Sequence, residues 1–111
     1  MKFLCLAYGN EKEWLELSKD EQEEFLAHDE VLRQRGDFVT AVKLDIVTVT
    51  AWEGSPVISH APFSKLRLPL AGFSIIEAED VDEVVRLVAN TPCARAGGAI
   101  EIRPFLQADV A

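Results

Sequence analysis

The chain has no long hydrophobic run, only two cysteines and few basic residues, and each shortage removes a class of protein. None of its 111 residues belongs to anything like the roughly 20 consecutive apolar positions of a membrane span. The opening MKFLCLAYG runs into Gly9, Asn10 and a row of acids, where a signal peptide needs a longer apolar region and a small-residue cleavage site. A cytoplasmic protein with no membrane association is expected. Bases number 11 against 19 acids, for a net charge of −8. Nucleic acids are held by clustered Lys and Arg that neutralise phosphates, so no nucleic-acid partner is expected. Cys5 and Cys93 have neither metal-ligand spacing nor an accompanying His motif and read as free thiols, Cys5 as a small buried apolar group. H-E-x-x-H, C-x-x-C and G-x-S-x-G are all missing, and Ala96-Gly97-Gly98 precedes a strand rather than a helix. No metal and no cofactor is expected.

What is present reads as one globular domain over residues 1–111, with 49% hydrophobic and 27% charged residues. Lys2 to Tyr8 is a strand apolar on both parities: Phe3, Cys5 and Ala7 on one side, Leu4, Leu6 and Tyr8 on the other. After GNEKEWLEL, Ser18 and Glu21 form an S-x-x-E capping box that opens a helix from about Lys19 to Arg35, closed by Gly36. Its inner stripe is Phe25 and Leu32, flanked by Leu26 and His28. Asp37 to Lys43 and Ile46 to Trp52 are β-branched-rich strands, and Glu53-Gly54-Ser55-Pro56 turns the second into Val57-Ile58-Ser59. Leu70 to Ala78 is a further strand. Asp80 caps a helix with Val81, Val84, Val85 and Val88 on one stripe, ending before Thr91-Pro92, and a last strand spans Ala99 to Pro104.

The order β-α-β-β-(short β)-β-α-β matches an α+β fold, a ferredoxin-like sandwich with an antiparallel sheet and a hairpin-like insertion. In such a fold two helices cover one sheet face. Alternation assigns Val47, Val49, Ala51, Ile100 and Ile102 to the helix side, and Thr48, Thr50, Trp52, Glu101 and Arg103 to the open side. A mixed polar and aromatic open face predicts a homodimer contact, a ligand pocket, or both.

Charge is uneven along the chain. Asn10 to Asp37 holds ten acids and four bases, whereas no carboxylate lies between Glu53 and Glu77, a stretch that carries His60, Lys65 and Arg67. Within it, HAPFSKLRLPLAGF resembles the DGPF branch of the YCII-related domain, whose signature is D-G-P-F-A-E-T-K-E followed by L-G-G-F, at Pro62, Phe63, Leu70, Gly72 and Phe73. Downstream, Gly98, Ile100, Glu101, Arg103 and Pro104 resemble the family's closing G-x-I-E-V-R-P strand; upstream, Tyr8-Gly9, Trp14 and Leu17-Ser18 resemble its opening. The resemblance implies a ferredoxin-like fold pairing into a dimeric α/β barrel, with small cofactor-independent enzymes among its relatives. It also implies an alternative, a non-catalytic regulatory protein associated with extracytoplasmic-function sigma factors. The broader group's histidine corresponds to Phe25 here, and the signature Asp, Gly and Glu are replaced by His60, Ala61 and Lys65.

The candidate site follows from that loop and the open face. His60 is the candidate general acid or base, because an imidazole titrates near neutral pH; its other reading is an exposed loop residue. Arg103 and Glu101 either bind and orient a carboxylate ligand or form a structural ion pair. Tyr8 at the strand end is a candidate hydrogen-bond donor or a packed ring, and Phe63 and Lys65 of the signature loop complete the set. A small, anionic organic molecule at Lys65, Arg67 and Arg103 is the expected ligand class.

Overall fold

The computed structural model describes residues 1–106. β1 (Lys2–Tyr8) is followed by two helices, α1 (Glu11–Leu15) and α2 (Lys19–Gln34). Asn10 starts the first by accepting from the Glu13 amide at 2.9 Å. Ser18 and Glu21 start the second through a reciprocal capping box, each side chain accepting from the other's amide at 3.1 Å. Gly36, at φ 97°, ends α2 in the left-handed conformation that costs glycine least. β2 (Phe38–Ala41) precedes a small hairpin, β3 (Thr48–Thr50) and β4 (Val57–Ser59). The chain closes with β5 (Leu70–Glu77), α3 (Val81–Val88), α4 (Pro92–Arg95) and β6 (Ala99–Pro104).

Strands β2, β5, β1 and β6 lie side by side in that order, and every described pairing among them is antiparallel. Taken with the helix positions, this is the ferredoxin-like α+β arrangement expected from the order of elements. Phe3, Cys5, Leu32, Ile76, Val84 and Val88 form the buried core between sheet and helices, with Val39, Leu87, Ile100 and Ile102 packed against it. On α3 only Val84 and Val88 of the valine stripe are buried; Val81 and Val85 sit about half exposed on the helix flank.

Two short helices, in the GNEKEWLEL segment and at Pro92–Arg95, are each too brief to show a hydrophobic period in the sequence. Two sequence expectations are corrected. The two strands after α2 are shorter than their β-branched runs, because only Phe38–Ala41 reaches the main sheet. Val47 and Val49 do not face the helices. β3 pairs only with β4 in a separate two-stranded sheet, so Val47 is 63% and Val49 58% exposed, and Trp52 belongs to this arm rather than to the open face of the main sheet. Alternation along paired strands keeps Glu101 and Arg103 on that open face, as expected, beside Leu4, Leu6, Phe38, Phe73 and Ile75. Phe38 and Phe73 meet there with ring centroids 5.7 Å apart.

The arm spans roughly Lys43 to Pro69 and stands away from the core. The radius of gyration, 15.9 Å, exceeds the about 13 Å of a compact domain of about 100 residues.

Candidate functional site

A cleft of about 350 Å³ opens on the helix side of the sheet, between α2, α4 and the β5–β1 strands. Its walls are largely apolar: Trp14, Leu26, Leu32, Val39, Val88 and Ile100. Into it come one carboxyl, Asp29, one guanidinium, Arg33, two thiols, Cys5 and Cys93, and the hydroxyls of Thr40, Ser74 and Thr91. A second hollow of about 380 Å³ shares Trp14, Ala71, Pro92 and Cys93 with the first and continues past Gly9 and Asn10 to Leu44 at the root of the arm. Together they form one trough with Trp14 and Cys93 at its waist.

Local structure explains each placement. Asp29 lies four residues after Phe25 and three before Leu32, the two buried residues of α2, and so shares their inward stripe. Burial raises its carboxyl pKa, and the positive charges of Arg33 and His28 only partly oppose this. Cys93 sits on α4. Arg95 of the same helix stacks on the Phe25 ring at 4.5 Å and donates to Asn90 Oδ1 at 2.8 Å, which clamps α4 against α2. Gly98 lets the chain after α4 run against the carbonyls of Tyr8 and Cys93, where any side chain would collide with both. Trp14 is held by the Gln22 side-chain amide, which donates to the Trp14 carbonyl at 2.9 Å.

The thiols are quiet ones. Burial raises the pKa of Cys93, and the nearby Asp29 charge raises it further. Cys5 is buried at 1% exposure; burial raises its pKa and a hydrogen bond with Ser74 partly offsets this. Both cysteines are free. Among the described residues no group of three or more His, Cys, Asp or Glu is arranged to hold a metal ion.

The residues singled out in the sequence lie elsewhere. His60 is exposed just beyond β4, and Phe63 (73% exposed) and Lys65 lie on the returning limb of the arm. Arg103 and Glu101 form an exposed ion pair at 3.0 Å on β6. Tyr8 is half-buried at the end of β1, opposite Leu70 and Ala99. Since β6 is one edge of the sheet and the arm leaves from β2 at the other, one chain does not bring His60 and Arg103 together. Phe63 and Arg67 do line a groove of about 600 Å³ along the arm, which shares Val42, Leu44 and Pro69 with the trough. Asp29 and Cys93 line the cleft and are not among the candidate site residues singled out in the sequence. An acid on the inner stripe of a helix otherwise acidic on its outer face was the available signal.

The described residues form a ferredoxin-like α+β domain with an acid-bearing cleft on the helix side of its sheet. The chain belongs to the YCII-related domain family, which matches residues 1–108. Comparison with curated proteins by sequence returns no match. Among solved structures, the chain is similar to 5-chloro-2-hydroxyhydroquinone dehydrochlorinase (TftG) from Burkholderia phenoliruptrix AC1100, in complex with 2,5-dihydroxybenzoquinone. The similarity has a TM-score of 0.52 at 20% identity and covers 99% of this chain and 98% of that one. At this identity it supports the shared fold.

Proposed function

We propose that this protein binds a small, flat, oxygen-substituted ring compound in the cleft beneath α2 and carries out cofactor-independent proton transfer on it, with Asp29 as the acid–base group. The observation that carries the reading is the Asp29 carboxyl: half-buried, raised in pKa by its surroundings, and directed into an apolar cleft of suitable size. A carboxyl whose pKa is raised by burial donates a hydrogen bond to a quinone oxygen in its protonated form, and in its ionised form accepts the proton of a ring hydroxyl. Trp14 and Leu26 supply faces for a ring, and Cys93 lies beside it as a neutral, weakly polar wall. The related fold that holds 2,5-dihydroxybenzoquinone supports this ligand class.

In this reading the molecule works as a homodimer paired through the open sheet face, because Leu4, Leu6, Phe38, Phe73 and Ile75 form an apolar surface that no helix covers. The Lys65, Arg67 and Arg103 charges act on an anionic ligand only where two chains contribute them, since one chain holds them at opposite edges. Thermal-shift screening of hydroxylated quinones, phenols and simple aliphatic carboxylates tests the proposal on the intact protein, Asp29→Asn and Trp14→Ala. Stabilisation by ring compounds that Trp14→Ala abolishes, and that loses its pH dependence in Asp29→Asn, is expected. Ring compounds that shift all three proteins equally, or none, would overturn it.

A further inference from the structure

The second hollow of the trough has no part in the acid–base reading, yet at about 380 Å³ it is as large as the cleft that holds Asp29, at about 350 Å³. Pockets of about 300–1,000 Å³ take drug-sized ligands, so the two together exceed what one small ring fills. Beyond the waist at Trp14 and Cys93, the walls of the second hollow are Val42, Leu44, Pro69, Ala71, Pro92 and Ala96.

The backbone groups around this hollow are largely paired already. The Gly9 amide donates to the Pro69 carbonyl at 3.1 Å, the Val42 amide to the Ala71 carbonyl at 2.9 Å, and the Ala96 amide to the Pro92 carbonyl at 2.9 Å. The Cys93 carbonyl accepts from the Gly98 amide at 3.0 Å, and Asn10 Oδ1 accepts from the Glu13 amide at 2.9 Å. Among the described residues no Lys, Arg or His lines the hollow, and its one charged group is the exposed Glu11 carboxylate. A polar substituent placed there would give up water without gaining partners, and an anionic one would also be repelled by Glu11. An alkyl chain meets neither cost and gains from burial. At the far end Val42, Leu44 and Pro69 also line the groove along the arm, so the hollow is open there and does not stop a chain short.

We propose that the second hollow is a subsite for an alkyl substituent on the bound ring, so that the protein selects alkyl-substituted hydroxyquinones or phenols over bare rings. The proposal rests on the ring-binding reading above and names the substrate class of the same site. The ring lies in the cleft beside Asp29, and its chain passes between Trp14 and Cys93 and runs over Ala71 and Pro92 toward Leu44.

Isothermal titration calorimetry tests this with 2,5-dihydroxybenzoquinone and its methyl, propyl and hexyl derivatives, on the intact protein, Ala96→Leu and Leu44→Asp. The first substitution fills part of the second hollow and the other puts a charge on its wall; neither position lines the cleft. Leu44 is 73% exposed, so its variant keeps the fold and decides the outcome if Ala96→Leu does not fold. Each buried methylene tightens binding by up to about fourfold. Support is binding that tightens about tenfold or more from methyl to hexyl, with an increasingly negative heat-capacity change, and that loses most of this gain in the variants while the bare ring binds them as it binds the parent. A bare ring that binds with no gain from chain length, or a gain that is equal in the parent and Leu44→Asp, overturns the subsite and leaves the ring reading standing. A series in which no member binds overturns both.

Discussion

Asp29 and Cys93 look into the same cleft from different helices, and the carboxylate of the first raises the pKa of the second. Burial acts in the same direction and is the larger cause. The pair is therefore arranged to keep a proton on the thiol, which is the opposite of what a thiolate nucleophile requires. In the proposed reading the acid–base role in this cleft falls to the carboxyl.

Cys93 should accordingly alkylate slowly with iodoacetamide at neutral pH, with a rate profile displaced to higher pH than that of a free cysteine. Asp29→Asn should bring the profile part of the way back, because it removes the charge and leaves the burial. A Cys93 that reacts faster than a free thiol near neutrality would contradict the assignment of roles. Mass spectrometry distinguishes it from Cys5, which is buried and should label only on unfolding.

The raised carboxyl pKa also fixes the sign of a stability effect. The folded chain holds the Asp29 proton over a pH range in which the unfolded chain has already released it. The associated stabilisation is complete below the ordinary carboxyl pKa and is lost as pH rises through the raised folded value. Asp29→Asn cannot ionise, so it should be more stable than the parent at neutral pH, with the difference fading in acid. Urea unfolding of both proteins over that range measures it, and a parent that is the more stable one at neutrality would show that Asp29 is a structural ion-pair partner instead.

Core and arm should respond differently to truncation. Ile76→Ala, at a fully buried sheet position in contact with the helices, should cost about 2–5 kcal/mol. Val47→Ala on the arm should change monomer unfolding by no more than about 0.5 kcal/mol. Denaturant titration at high dilution separates these values from effects on association. A large loss from Val47→Ala in the monomer would mean that the arm packs into its own chain.

The elements with strong local signals were legible in the sequence. The Ser18–Glu21 box and Gly36 bracket α2, Asp80 caps α3 by accepting from the Glu83 amide at 2.9 Å, and Ile100 and Ile102 pack on the core as alternation required. The arm was not legible, because a β-branched run such as Ile46–Trp52 looks the same in a sheet and in a hairpin that leaves it. Asp29 was hidden for a related reason. His60 drew attention through its chemistry and its place in a family signature, whereas Asp29 was one acid among many on an acidic helix. Only packing separates an inward carboxyl from its solvated neighbours, and here Phe25 and Leu32 on either side turn it inward.

A crystal of the protein soaked with 2,5-dihydroxybenzoquinone tests the central claim most directly. Ring density between Trp14 and Leu26, with an oxygen within hydrogen-bonding distance of the Asp29 carboxyl, is the predicted result. Density confined to the open sheet face or to the His60 loop, with the cleft beneath α2 empty at saturating ligand, would contradict it.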